Sequence, residues 1–207
     1  MSVTTTYSPD KDTYLKEKTP TTNQGTANNL QIGRLTTHGA TTSLNAVLEF
    51  DVSALTDPTA IFSATLNLVH IRNNGANTNT VALKRLTLGF VESGTGGCTW
   101  EYADTTDTDT AWSGAADYAK SEPTPVTFNV GATGGTLALD IKDLVLDAIF
   151  RRAGILRIVI DSDSLGTNGT STYSSTRDST VGDRPTLDVV TADRLVWKDG
   201  AGSGGAL

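Results

Sequence analysis

Short runs in which apolar and polar residues alternate recur along the whole chain. Residues 44–51 (LNAVLEFD) put Leu44, Ala46, Leu48 and Phe50 on one face. Residues 61–71 (IFSATLNLVHI) do the same with Phe62, Ala64, Leu66 and Leu68, and His70 follows on that face. A period of two is the mark of a half-buried strand. In residues 81–91 the series Val81, Leu83 continues as Leu86, Leu88, Phe90. The phase slips by one at Lys84-Arg85, which predicts a bulge. Further strands are predicted at 30–33, 126–130, 136–139, 155–160 and 186–190, with spacers rich in Gly, Asn, Asp and Ser. Short strands without long interleaved helices predict an all-β, antiparallel sandwich.

Two stretches break the pattern. Residues 140–152 (DIKDLVLDAIFRR) carry apolar side chains at 141, 144, 145, 148 and 149. This helical spacing predicts one short amphipathic helix over about 140–152, packed across one end of the sandwich. Arg151 and Arg152 suit its C-terminal dipole, and Gly154 stops it. Residues 94–125 hold Trp100, Tyr102, Trp112 and Tyr118 among Asp, Thr and Gly. A loop of that length needs tying down, and the aromatics are the expected anchors. The expected organisation is an N-terminal arm (1–7), a sandwich domain (8–191) and a C-terminal extension (192–207). The apolar Leu195, Val196 and Trp197 of the extension are expected to dock on the domain or on a partner.

Composition narrows the functions. The chain has 207 residues and a net charge of -7, which argues against nucleic acid and against an anionic membrane. Thirty-five threonines suit pleated, half-exposed surfaces. One cysteine, Cys98, excludes an internal disulfide and reads as a structural thiol. No apolar run approaches the ~18 residues of a membrane span. The opening MSVTTTYSPDKDTYLK lacks the apolar core of a secretory leader, so no export signal is expected.

Catalytic signatures are absent from the pattern. His38 and His70 stand in no metal-ligand spacing, and no GxSxG, Walker or GxGxxG motif occurs. Non-enzymatic chemistry is therefore expected. Asp104, Asp107 and Asp109, and Asp161 and Asp163, alternate in acidic loops that read as solvated turns. Asp10, Asp12 and Asp140 form a candidate structural Ca²⁺ site, oxygen ligands being what that ion takes; no other cofactor is expected. Arg72, Lys84, Arg85, Arg157, Arg177 and Arg184 lie in or beside predicted strands, where a basic side chain pairs with an acid or binds an anionic ligand. Trp100, Tyr102, Trp112 and Tyr173 are candidates for stacking on sugar rings. The candidate ligand-binding set is Arg72, Lys84, Arg85, Trp100, Trp112 and Arg177.

Six blocks in order resemble the DNRLRE-type domain family. They are DKDTYLKEKTPTTNQGTANNLQIG (10–33), AVLEFDVSAL (46–55), FSATLNLV (62–69), CTWEYADTTDTDTAW (98–112), LALDIKDLVLDAIFRRAG (137–154) and STYSSTRDSTVGDRPTLDVV (171–190). The resemblance implies a carbohydrate-binding-module-like jelly-roll β-sandwich, of the kind found beside polysaccharide-active enzymes, in alginate-binding modules and in tailed-phage virions. Asp178 stands where the family's closing motif has another acid, and Ala148-Ile149-Phe150 replaces its usual helix aromatic. The leading expectation is a phage virion structural protein, a capsid decoration protein on the outer head surface. It would be made in the host cytoplasm, with the major capsid protein or other virion proteins as partners and with possible homo-oligomerisation. The alternatives are a carbohydrate-binding module for an anionic polysaccharide or host-surface glycan, or a tail or fibre adhesion component.

Overall fold

A computed structural model describes residues 2–37, 40–75, 80–129, 135–162 and 169–192. His38, Asp163 and the segment with Leu195, Val196 and Trp197 lie outside the described residues. The described chain forms twelve strands and one α-helix. They are β1 (Ser2–Tyr7), β2 (Lys11–Lys16), β3 (Asn29–Thr37), β4 (Ala40–Asp51), β5 (Ile61–Gly75), β6 (Thr80–Leu86), β7 (Ala119–Lys120), β8 (Val126–Asn129), β9 (Thr136–Asp140), α1 (Lys142–Arg151), β10 (Ile155–Asp161), β11 (Gly169–Ser174) and β12 (Thr186–Ala192).

Every strand pair is antiparallel, and the strands form two layers. One sheet runs β1-β12-β5-β9. The other runs from β11 through β3 to β4, β10 and β6, with β2 continuing the β3 edge of β4 and with β7 and β8 both on β6. β5 joins the layers: residues 61–69 pair with β12 and β9, and residues 70–75 pair with β11. This is the all-β antiparallel sandwich that the alternation predicts.

The alternating apolar rows meet between the layers. Ala46, Leu48 and Phe50 of β4, Ala64, Leu66 and Leu68 of β5, Ile158 and Ile160 of β10, and Leu187 and Val189 of β12 are all buried. Each large apolar side chain so buried contributes about 1.5–3 kcal/mol. The helix lies within the expected 140–152 span and adds Leu144, Val145 and Ala148 to the same core. Asp140 Oδ1 accepts the Lys142 N–H at 3.0 Å at its start. Gly154 ends the turn at φ 80°, its N–H bonded to Ala148 O at 3.0 Å. A Cβ there would meet Ser53 Cα at 2.3 Å, so the position is closed to other residues on both counts.

A second apolar cluster sits on the outer face of the β4-β10 sheet. Leu15, Val47, Val159 and Leu86 project there, and residues 90–115 cover them with Phe90, Cys98, Ala103, Trp112 and Ala115. The long loop is thus anchored by aromatics, as its composition predicts. β4 and β10 are buried on both faces, which is why residues 155–160 (ILRIVI) read as nearly continuous apolar sequence.

Two expectations need correction, and β11 is not among the predicted strands. Lys84-Arg85 carries no bulge: β6 pairs with β10 in unbroken register from Ala82↔Asp161 to Arg85↔Ile158. The phase changes because Val81 and Leu83 enter the main core while Leu86 enters the outer cluster. Within the expected N-terminal arm (1–7), Ser2–Tyr7 pairs with β12 along its whole length and is an edge strand of the sandwich. The hydroxyl-rich β11 (GTSTYS) has no apolar alternation, yet it pairs with β3 and β5 and is buried throughout.

Leu48→Ala should lower unfolding free energy by about 2–5 kcal/mol. Phe62 does not follow Ala64, Leu66 and Leu68 into the core as the alternation predicts: the β5-β12 register slips between Ser63 and Ile61, Phe62 is 62% exposed, and its replacement by Ala should cost no more than about 0.5 kcal/mol. Urea unfolding of both variants tests this; equal losses would contradict the placement of the core.

Candidate functional site

The cover on the outer face presents aromatic side chains outward as well as inward. Residues 99–103 run antiparallel to 110–114: Ala103 N–H bonds to Thr110 O at 3.0 Å, Tyr102 bridges Ala111, and Gly114 N–H bonds to Trp100 O at 2.7 Å. Trp112 points inward. It is 1% exposed, and its Nε1–H donates to Thr99 O at 2.8 Å. Trp100 and Tyr102 are half-buried, and Trp100 packs against the outer cluster. Gly114, at φ 59°, lies under the Trp100 ring, where a Cβ would come within 2.6–2.8 Å of the indole. The small residue lets the ring lie close against the backbone.

Trp100 and Tyr102 line an open groove of about 500 Å³ together with Glu101, Ala111, Trp112, Ser113 and Asp117. Asp117 Oδ2 accepts the Ser113 N–H at 3.4 Å, a long contact that leaves most of the carboxylate's acceptor capacity free. Two aromatic surfaces, two carboxylates and a hydroxyl make a concave site suited to ring stacking and to hydroxyl groups. The groove is open at its surface.

A family model for carbohydrate-binding modules matches residues 3–191, from the first strand to the last. The chain belongs to carbohydrate-binding module family 96. No curated protein matches it. The match carries a binding module and not the DNRLRE-type name in particular. It also takes in β1, in keeping with that strand's place in the sheet.

Of the six candidate ligand residues, the CBM96 sandwich brings Trp100 and Trp112 to one groove, with the Trp112 side chain facing inward. Most of the basic residues are already paired. Lys84 bonds Asp161 across the β6-β10 pair. Arg85 faces the helix and holds Asp147 at 3.0 Å, a carboxylate that also meets Arg152 at 3.2 Å and Arg151 at 3.5 Å. Arg157 shares Glu49 with Lys11, and the three are direct cross-strand neighbours on β10, β4 and β2. Arg184 Nε donates to Asp178 O. Arg72 is exposed on β5, opposite Thr172, in a different part of the sheet. Tyr173 is a core residue whose ring lies 5.0 Å from that of buried His70.

Arg177 is a clamp. Its Nε donates to Gly25 O at 2.7 Å, and its Nη2 donates to Glu92 Oε2 at 2.8 Å. Glu92 Oε1 accepts the Asp12 N–H at 3.2 Å, and Asp12 accepts the Thr176 N–H at 2.7 Å and hydroxyl at 2.8 Å. Four segments are thereby stitched together. The expected Ca²⁺ set is not assembled: Asp12 is engaged by Thr176, Asp10 by the Asp51 N–H at 2.7 Å, and Asp140 by Lys142. Among the described residues no three acids, histidines or cysteines group as metal ligands. Asp104 and Asp107 fold back on their own loop, accepting the N–H groups of Thr106 and Asp109.

The sequence reading missed Glu101, Ser113 and Asp117. The available signal was the closeness of Trp100 and Tyr102 in the aromatic-rich loop, which places both beside the groove. Nothing local marks Asp117, which reaches the groove through the turn at residues 113–118. Burial lifts the Cys98 thiol to about 12, so it acts as a small apolar side chain in the cover.

Burial also raises the Asp12 carboxyl to about 6; the Thr176 hydrogen bonds oppose this, Glu92 adds to it and Arg177 opposes it. An acid with a folded pKa above its unfolded value of 3.8 binds more protons when folded, so its contribution falls as pH rises from about 4 to about 6. At about 1.4 kcal/mol per pKa unit, the loss is on the order of 3 kcal/mol. Relative to Asp12→Asn, wild-type stability should therefore decline over this window. Urea midpoints at successive pH values check it, and parallel profiles would rule it out.

Proposed function

We propose that this CBM96 module binds a neutral, hydroxyl-rich polysaccharide through the Trp100–Tyr102 groove. The observation that carries the reading is that half-buried Trp100 and Tyr102 line one groove with Glu101, Ser113 and Asp117. The rings supply apolar faces for sugar C–H groups, and the carboxylates and hydroxyl supply partners for sugar hydroxyls. Family membership supports the ligand class.

Charge selects within that class. A polyuronate needs cations that face it, and Lys84, Arg85, Arg157 and Arg177 are each held by an acid of the module itself. The groove instead offers Glu101 and Asp117, which repel carboxylates, on a chain of net charge -7. An anionic ligand such as alginate is thus the weaker fit. Attachment to a virion has no observation favouring it. One of its expected arms is strand β1, paired within the sheet, and residues 193–207 lie outside the described residues.

Affinity electrophoresis through gels containing xylan, a mixed-linkage β-glucan or alginate tests the reading. The wild type should be retarded by a neutral polymer and not by alginate. Trp100→Ala should weaken retardation at least tenfold, equivalent to about 1.4 kcal/mol, and Trp100→Phe should retain part of it. Retardation unchanged in Trp100→Ala, or seen with alginate alone, would refute the assignment.

A further inference from the structure

A trough of about 690 Å³, larger than the aromatic groove, lies between α1 and the segment joining β7 to β8. Glu122 and Pro123 form one wall. Asp143, Leu146 and Phe150, each about one helical turn from the next, form the other. Phe150 is 67% exposed, although the rest of the helix's apolar side chains are buried or half-buried. Such a ring at the rim of a trough contributes nothing to the core.

The polar groups of the trough differ in their commitments. Asp147 is fully occupied by Arg85, Arg151 and Arg152, which pins the helix to the sandwich. Glu122 and Asp143 have no ion pair or side-chain hydrogen bond among the described residues, so their acceptor capacity is open. A smaller recess of about 200 Å³ shares Thr124 and Asp143 and continues the trough past Lys142 and Asp140. The ten-residue helix is about 15 Å long, so the combined trough suits a short oligosaccharide lying along it.

We propose that this trough is a second glycan subsite, in which Phe150 stacks on a sugar ring while Glu122 and Asp143 accept hydrogen bonds from uncharged sugar hydroxyls. The proposal takes its ligand class from the carbohydrate-binding reading above but uses none of the same residues. The chemistry favours a glycan over a protein partner: one exposed aromatic, a proline and a half-buried leucine do not make the contiguous apolar patch of a protein interface. The two free carboxylates exclude polyanions. Because the two grooves sit on one sandwich, a single polymer or two neighbouring chains of a polysaccharide could engage both, and retention would then exceed that of either groove alone.

The test is amide chemical-shift mapping of the whole chain titrated separately with xylohexaose, a mixed-linkage β-glucan hexasaccharide and a hexauronate, in wild type, Phe150→Ala and Trp100→Ala. Phe150 is exposed, so its replacement leaves the fold intact, which the unperturbed spectrum of the remainder verifies. The expected result with a neutral hexasaccharide is two sets of shifts, at residues 100–117 and at residues 122–124 with 143–151. Phe150→Ala should weaken the second set at least tenfold and leave the first unchanged, and Trp100→Ala should do the reverse. Shifts at residues 100–117 alone, or helix-side shifts indifferent to Phe150→Ala, overturn the second subsite and leave the first reading standing. Helix-side shifts alone support the subsite and overturn the first reading. Helix-side shifts with the hexauronate alone overturn the uncharged-ligand assignment. No shifts with any of the three overturn both.

Discussion

Burial of the β4-β10 sheet on both faces is the constraint from which the rest follows. One face meets the opposite sheet through Leu48, Phe50, Ile158 and Ile160. The other carries Leu15, Val47, Leu86 and Val159, which would be a large apolar patch if left open. The chain covers it with residues 90–115 rather than with a third sheet, and an irregular cover must satisfy its own backbone groups. It does so through turns and the short bridged segment around Tyr102 and Ala111. Trp112 and Phe90 fill the inner side, their rings 6.4 Å apart, while Trp100 and Tyr102 stay half-buried and line the groove. The candidate site is thus a by-product of closing the outer face: inward anchors dictate which aromatics remain for a ligand.

Charge follows the same logic. Lys11, Glu49 and Arg157 are cross-strand neighbours beside the cover, and Lys11 Nζ lies 5.7 Å from the centre of the Phe90 ring. Asp147 is a buried carboxylate inside a ring of three arginines. Such pairs add little net stability against an apolar substitute, but removing one partner leaves an uncompensated charge. Their effect here is positional. They fix how the helix and the cover sit on the sheets, and they withdraw basic groups from ligand binding.

The sequence made the apolar architecture legible, and its polar partnerships much less so. Residues 44–51 and 61–71 reveal their strands by apolar alternation, residues 155–160 by a nearly continuous apolar run buried on both faces, and α1 by spacing alone. β1 and β11 escape because Ser and Thr carry no alternation: β1 is an exposed edge, and β11 is held by neighbours on both sides. Strand partners of opposite charge are distant in sequence, as with Glu49 and Arg157 or Lys84 and Asp161, so the sequence leaves open whether Lys84 and Arg85 pair with an acid or serve a ligand, and the structure pairs both. The slip at Lys84-Arg85 misled for a related reason. A strand buried on both faces at different points along its length has no single phase. Trp100 and Trp112 were both legible as loop aromatics, but which of them faced solvent depended on the hydrogen-bonded pairing of 99–103 with 110–114.

Burying Asp12 is unfavourable in isolation, and the geometry shows what offsets it. Its carboxylate orders Thr176, its backbone N–H orders Glu92, and Glu92 orders Arg177, which reaches back to Gly25. Asn23 extends the network, donating to both Glu92 O at 2.8 Å and Cys98 O at 2.7 Å. Cys98 is two residues from Trp100, so the start of the cover is tied to the N-terminal segment by directional bonds. Apolar contacts alone tolerate sliding, because they are non-directional. A groove that must hold two rings in fixed relation needs the register of the loop that carries them to be set, and a buried polar network sets it in a way that Leu15, Val47 and Trp112 cannot. The register of the segment lining the Trp100–Tyr102 groove is therefore tied to a carboxylate that an apolar core would exclude.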